Sequence, residues 1–193
     1  MNNLANVITD HYCKKNIIAE DKKEIYCYGF QLIIADIINY TIIIALGIIL
    51  DRTLDSIAFL ITLCGIRQFC GGFHAKTFTV CRLSFITTYI SVLFIASILS
   101  SISIEFIALI NTVCFISISY FAPIEHPNKP MTALQKKRNK LKSIITSSVA
   151  SVVSIIFVAM DITIGVTISI TLCAVVGLMI VSLIMKKGGG SNV

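Results

Sequence analysis

A chain of 193 residues that is 56% hydrophobic and 13% charged, with a mean hydropathy of +0.89, cannot be a soluble domain, because no fold of this size buries so much apolar surface. Its net charge of +6 therefore reads as membrane orientation and contact with anionic headgroups rather than nucleic-acid binding. Seven cysteines, an odd number set mostly inside apolar runs, argue against a disulfide framework.

In chain order, residues 4–25 read as an amphipathic helix lying in the membrane interface. Leu4, Val7, Ile8, Tyr12, Ile18 and Ile25 turn towards lipid, and Lys14, Lys15, Lys22 and Lys23 towards headgroups. A solvated arm is the plainer alternative. The first apolar run starts near Tyr26, too late and too long for a cleaved signal peptide, so Met1 reads as the mature N-terminus. Apolar segments follow at about 26–50, 54–69, 83–100, 103–122, 143–160 and 162–185. The predicted fold is all-α: a polytopic transmembrane bundle of about six spans behind the interfacial helix. The second segment is short, which leaves four spans plus two re-entrant segments as the other drawing.

Basic residues separate the two drawings. With six spans, Lys14, Lys15, Lys22, Lys23, Arg67, Lys76, Arg82, Lys129, Lys136, Lys137, Arg138, Lys140, Lys142, Lys186 and Lys187 share one side, and Arg52 alone lies on the other. The rich side is cytoplasmic by the positive-inside rule, which puts both termini there. Making segment two non-spanning destroys this asymmetry.

The expected organisation is one membrane domain, 1–193. It comprises an arm (1–25), four spans (26–122) interrupted by a loop at 67–82, a basic cytoplasmic loop (123–142), two further spans (143–185) and a tail (186–193). Pro123, Pro127 and Pro130 fall together in the basic loop and stiffen it. Gly188-Gly189-Gly190-Ser191 reads as a flexible linker. Gly29 and Gly47 read as helix-packing positions.

The stretch from Arg67 to Cys81 gathers an arginine, the pair Gly71-Gly72, His74 and Cys81 at a cytoplasmic boundary. Thiol proteolysis needs a thiolate, a base and oxyanion donors, and those residue types are all here. On one straight helix His74 and Cys81 would stand about 10 Å apart, so a dyad requires the chain to turn between them. The glycine pair can break the helix, and Cys81 can then begin the third span, where the helix dipole, Lys76 and Arg82 favour a thiolate. An interfacial histidine and a packing cysteine are the bland alternatives. Cys64, Cys70, His74 and Cys81 lack the paired short spacing of a structural zinc site, so no metal and no cofactor is expected.

These residues carry a family resemblance. The chain resembles the accessory gene regulator B (AgrB) family of Gram-positive quorum-sensing systems over nearly its whole length. Arg67, Gly71-Gly72, His74-Ala75 and Cys81 match the core motif, and Ala122-Pro123-Ile124-Glu125 with Asn128-Lys129-Pro130 matches a second signature before the basic run. The resemblance implies a cysteine endopeptidase that removes the C-terminal part of a short amphipathic autoinducing-peptide precursor (AgrD-like). It makes His74 and Cys81 the catalytic pair. Cys81 forms a thioester acyl-enzyme, and an internal side chain of the precursor resolves it to a thiolactone or lactone ring. A homodimer is a further implication.

Around that pair, Arg67, Gln68, Gly71 and Gly72 are candidates to support the site. Gln68 has the chemistry to orient His74 or to donate to the oxyanion. Asp36, costly within an apolar run, and Glu125 are candidate orienting or polar contacts. Lys129, Lys136, Lys137, Arg138 and Lys140 are candidate precursor-binding cations. Two other classes compete with the peptidase: a small-peptide exporter or transporter built around Asp36, and a non-enzymatic scaffold that docks peptides on its basic loop.

Overall fold

The computed structural model of the protein describes residues 2–71, 78–125 and 131–188, with side chains for 4–71, 78–125 and 131–185. Among the described residues the structure is helical, without strands: α1 (Asn2–Lys14), α2 (Lys23–Ile49), α3 (Thr53–Cys70), α4 (Phe78–Ile98), α5 (Ile104–Phe121), α6 (Ala133–Ala159) and α7 (Ile164–Gly188). Six of these, α2 to α7, are long and apolar enough to cross a bilayer. The short second segment is a continuous helix of 18 residues, which rises about 27 Å and matches the hydrocarbon core. Length therefore supports six spans over four.

The N-terminal helix differs from the expected 4–25. It stops at Lys14, and Asn16 then takes a left-handed conformation (φ 55°) that Asn tolerates. The other described non-glycine residues with positive φ, Asp51 and Asp161, sit in the α2–α3 and α6–α7 turns for the same reason. The described chain forms two compact units, with the boundary inside α2 after Leu46. In the first, α1 lies back along the opening turns of α2. Asp10 pairs with Lys23 Nζ at 2.6 Å, Tyr12 stacks on Phe30, and the Cys27 thiol donates to Asn6 Oδ1 at 2.9 Å.

The second unit is organised by α7, which packs against α3, α4, α5 and α6. Residues 165–172 of α7 are buried on every side, and Thr167, Ser169 and Thr171 supply part of that surface. Hydrocarbon gives helices no hydrophobic reason to associate, so small residues and hydroxyl hydrogen bonds make the close contacts. Ser154 Oγ donates to Gly165 O at 2.8 Å, lies 2.6 Å from Ser169 Oγ and receives Asn111 Nδ2 at 3.2 Å. A Cβ on Gly165 would run into the α6 backbone at Ser154 and Val158. Gly47 is a true packing position, pressed on Ser56 and the Arg52 carbonyl, whereas a Cβ on Gly29 meets nothing within 4 Å.

At the α2–α3 turn, Asp55 is almost fully buried. It is held by Arg52 Nε at 2.5 Å and by Thr167 Oγ1 of α7 at 2.5 Å, while Arg52 Nη1 donates to Ser97 of α4 at 3.1 Å. The hydrogen bond to Asp55 raises the Arg52 guanidinium above its usual value and keeps it charged. Next to this cluster, Ser56 Oγ lies 2.6 Å from Tyr89 Oη.

On the opposite side, α6 begins at Ala133 rather than near 143. Thr132 and Gln135 form a reciprocal capping box, so the basic residues 136–142 ride on helical turns that continue into the span. Lys142 Nζ stands 5.0 Å from the centre of the Phe69 ring, joining this extension to the end of α3.

Candidate active site

Cys81 is the fourth residue of α4, near the start of the third span. It is partly buried. Arg67, in the last turn of α3, lines the same crevice as Cys81, together with Leu63, Ser84, Phe85, Thr88 and Leu178. The crevice holds no more than about one water molecule. Two chain segments fourteen residues apart in sequence thus bring an arginine and a thiol to one small, mostly apolar space.

His74 and Gly72 lie outside the described residues, as does Lys129. Gln68 is exposed and donates Nε2 to the Gly65 carbonyl at 3.3 Å, one turn back along its own helix. Asp36 is exposed on α2 in the N-terminal unit, whereas Arg67, Cys81 and Glu125 belong to the second. Lys137, Arg138 and Lys140 are exposed on the opening turns of α6.

The end of α3 has a partner that sequence spacing does not reveal. Ile124 N donates to the Cys70 carbonyl at 2.8 Å, and Cys70, Ala122 and Ile124 are all buried. Gly71 follows with φ of 72°, and a Cβ there would overlap the Ile124 carbonyl oxygen. Glycine is needed at this position twice over, for backbone conformation and for space. The Ala122-Pro123-Ile124-Glu125 segment is therefore docked on the residues that open the His74-bearing stretch.

Glu125 does not reach towards open solvent. Its Oε1 accepts from Met131 N at 3.2 Å, and its Oε2 pairs with Lys136 Nζ at 3.0 Å. Lys136, a candidate precursor-binding cation by sequence, is thus engaged by a carboxylate of its own chain. Among the described residues no cluster of three or more His, Cys, Asp or Glu side chains has the geometry to hold a metal ion.

The family model for accessory gene regulator B matches residues 1–185. A Clostridium perfringens (strain 13 / Type A) protein named putative AgrB-like protein 2 is 27% identical over 146 residues, covering 72% of this chain and 68% of its own length. FsrB of Enterococcus faecalis (strain ATCC 47077 / OG1RF) is 27% identical over 94 residues, 49% of this chain and 38% of that protein. No solved structure matches. With the family model spanning nearly the whole of this six-helix membrane chain, the protein belongs to the accessory gene regulator B family, which places it in quorum sensing of the agr and fsr type.

Proposed function

We propose that this protein is a membrane-embedded cysteine endopeptidase that cleaves the C-terminal part from a small autoinducing-peptide precursor and supports its cyclisation. The observation that carries the reading is the placement of Cys81 in the first turn of α4, in one crevice with Arg67 and seven residues after His74. In this mechanism His74 accepts the Cys81 proton. The Sγ attacks the scissile carbonyl, and His74 returns the proton to the leaving amine of the C-terminal fragment. The precursor remains as a thioester on Cys81. An internal thiol or hydroxyl of the precursor then attacks that carbonyl and releases Cys81, giving a thiolactone or lactone. Ring closure is an exchange at the thioester, which conserves its activated acyl bond, so this step requires no ATP. Water competes for the thioester, and a crevice that admits about one molecule limits that loss from the bundle side. The deciding experiment is precursor cleavage by protein reconstituted in vesicles: a truncated peptide that forms with wild type and not with Cys81→Ala. An exporter or a scaffold gives no truncated peptide in either case.

The proposed orientation puts both termini and the α3–α4 and α5–α6 connections in the cytoplasm, following the basic asymmetry. An impermeant maleimide should label Lys140→Cys only in inside-out vesicles and Ser101→Cys only from the outside. The opposite pattern would invert the topology.

Lys137, Arg138 and Lys140, with Lys129, are the cations we assign to precursor binding, on the expectation that the precursor's C-terminal segment is acidic. Neutralising Lys137, Arg138 and Lys140 together should raise the apparent KM about tenfold with kcat little changed, and the effect should shrink at high salt. An unchanged KM in correctly inserted protein would remove the basic face from precursor binding. We take residues 1–193 as a single functional membrane domain acting on this precursor, most simply as a homodimer.

A further inference from the structure

Among the described residues, the Glu125–Lys136 ion pair joins the two segments next to the candidate site. We propose that Glu125 and Lys136 form a clasp that holds Ile124 against Gly71 and so sets the point from which the chain leaves α3 towards His74. The inference rests on the peptidase reading for its functional half. Its structural half stands on geometry alone.

The parts follow in sequence order. Cys70 ends α3 with its carbonyl committed to Ile124 N at 2.8 Å. Gly71 then adopts its positive φ against the Ile124 carbonyl, so any shift of Ile124 moves the first residue beyond α3. The adjacent residue, Glu125, uses both carboxylate oxygens, one on Met131 N and one on Lys136 Nζ. Met131 and Lys136 flank the Thr132–Gln135 capping box, in which Thr132 N donates to Gln135 Oε1 and Gln135 N to Thr132 Oγ1. The carboxylate therefore ties the Ile124 segment to a rigid platform, the beginning of α6. The ion pair is half exposed at Lys136 (48%) and about a quarter exposed at Glu125 (27%). Such pairs contribute little to overall stability. Breaking this one should leave the bundle folded and loosen only the attachment of Ile124. The same contact competes with an acidic peptide for Lys136, which makes Lys136 a positioning residue and leaves peptide recognition to its exposed neighbours.

The test uses the full-length protein in lipid vesicles and needs no precursor. Hydrogen exchange is followed at the Ile124 and Met131 amides, and alkylation by iodoacetamide is read at the Cys81 peptide by mass spectrometry across pH 5.5–8.5. In wild type, a His74–Cys81 pair should make alkylation near neutral pH faster than in His74→Ala. Glu125→Ala and Lys136→Gln should each speed exchange at Ile124 and slow Cys81 alkylation on the order of tenfold, with a pH profile approaching that of His74→Ala. The double variant Glu125→Lys/Lys136→Glu should recover at least half of both Ile124 protection and alkylation rate. It should not protect Met131, because a lysine cannot accept from that amide. Should Glu125→Ala fail to insert, Lys136→Gln carries the same test with the Met131 contact intact. Unchanged exchange at Ile124 in the single variants, or a swapped double variant no better than they are, overturns the clasp. Faster exchange with unaltered Cys81 alkylation overturns the positioning role. If His74→Ala alkylates like wild type, the dyad reading fails, and the exchange data alone then judge the clasp.

Discussion

Cys81→Ala and His74→Ala are each expected to abolish precursor cleavage, by at least about a thousandfold, while leaving membrane insertion and helix content unchanged. The double variant should be no worse than either single one, because a nucleophile and its base fail as a unit. Cys81→Ser is the more searching replacement. It keeps the shape of the side chain on the first turn of α4, but a base sufficient for a thiol does not activate an alcohol, so cleavage should also be lost. Replacing the internal nucleophile of the precursor by alanine should trap the acyl-enzyme, since the ring-closing attack is then missing. The adduct should be labile to hydroxylamine and absent from Cys81→Ala. Cys64, Cys70, Cys114 and Cys173 lie in α3, α5 and α7 and should retain cleavage when replaced one at a time by alanine. Cys114 and Cys173 face each other across α5 and α7 at 3.5 Å as packed thiols. Full cleavage by Cys81→Ala, or an adduct that persists in it, would take Cys81 out of the mechanism and favour an exporter or a scaffold.

How far the amino-acid order anticipates this molecule depends on the range of the interaction. Span positions follow from hydropathy, and α3, α5 and α7 agree with the expected segments to within a few residues because each is bounded by polar turns. The described α4 runs from Phe78, five residues ahead of the expected start of that span at 83, because Arg82 and Ser84 mask the apolar pattern around Cys81. The longer α6 had a local signal, Thr132 and Gln135 at capping-box spacing, which outweighs the charges of 136–142 as a marker of the helix start. The break after Lys14 had a weaker one in Asn16. What spacing does not reveal is contact between distant segments. Ile124 on Cys70 and Gly71, Glu125 on Lys136, and Thr167 on Asp55 depend on which helices become neighbours, and periodicity says nothing about that. Asp36 drew notice as a charge inside an apolar run, while Asp55, at the edge of one, is the carboxylate the second unit buries.

The second large effect concerns that carboxylate. Arg52→Ala should cost about 3 kcal/mol of stability and lower the melting temperature in detergent on the order of 5–10 °C. The reason is the charge left behind: Asp55 is 4% exposed, and Thr167 alone does not compensate an ionised carboxylate. The Arg52 side chain is itself 30% exposed, so the lower end of the range for breaking buried pairs applies. Asp55→Asn in the Arg52→Ala background should recover part of the loss, because a neutral amide can still accept from Thr167 Oγ1 without a charge to solvate. Cleavage at low temperature should survive both changes if the cluster only holds α3, α4 and α7 together. A melting temperature unaltered by Arg52→Ala would show that the pair contributes nothing to the fold. Loss of cleavage with an unaltered melting temperature would give the cluster a part in the reaction instead.

The central place of α7 has a consequence for biogenesis. Spans α3 to α6 are synthesised before the helix against which all four pack. During insertion they occupy the bilayer with the hydroxyl of Ser154 and the carboxylate of Asp55 still lacking their α7 partners. Closure of the bundle is therefore a late event, set by the arrival of residues 165–172 rather than by the order in which spans enter the membrane. A ribosome-bound chain ending before Ile164 should be inserted yet remain sensitive to proteolysis and to chaperone capture, and should become resistant in a single step once α7 is released into the lipid.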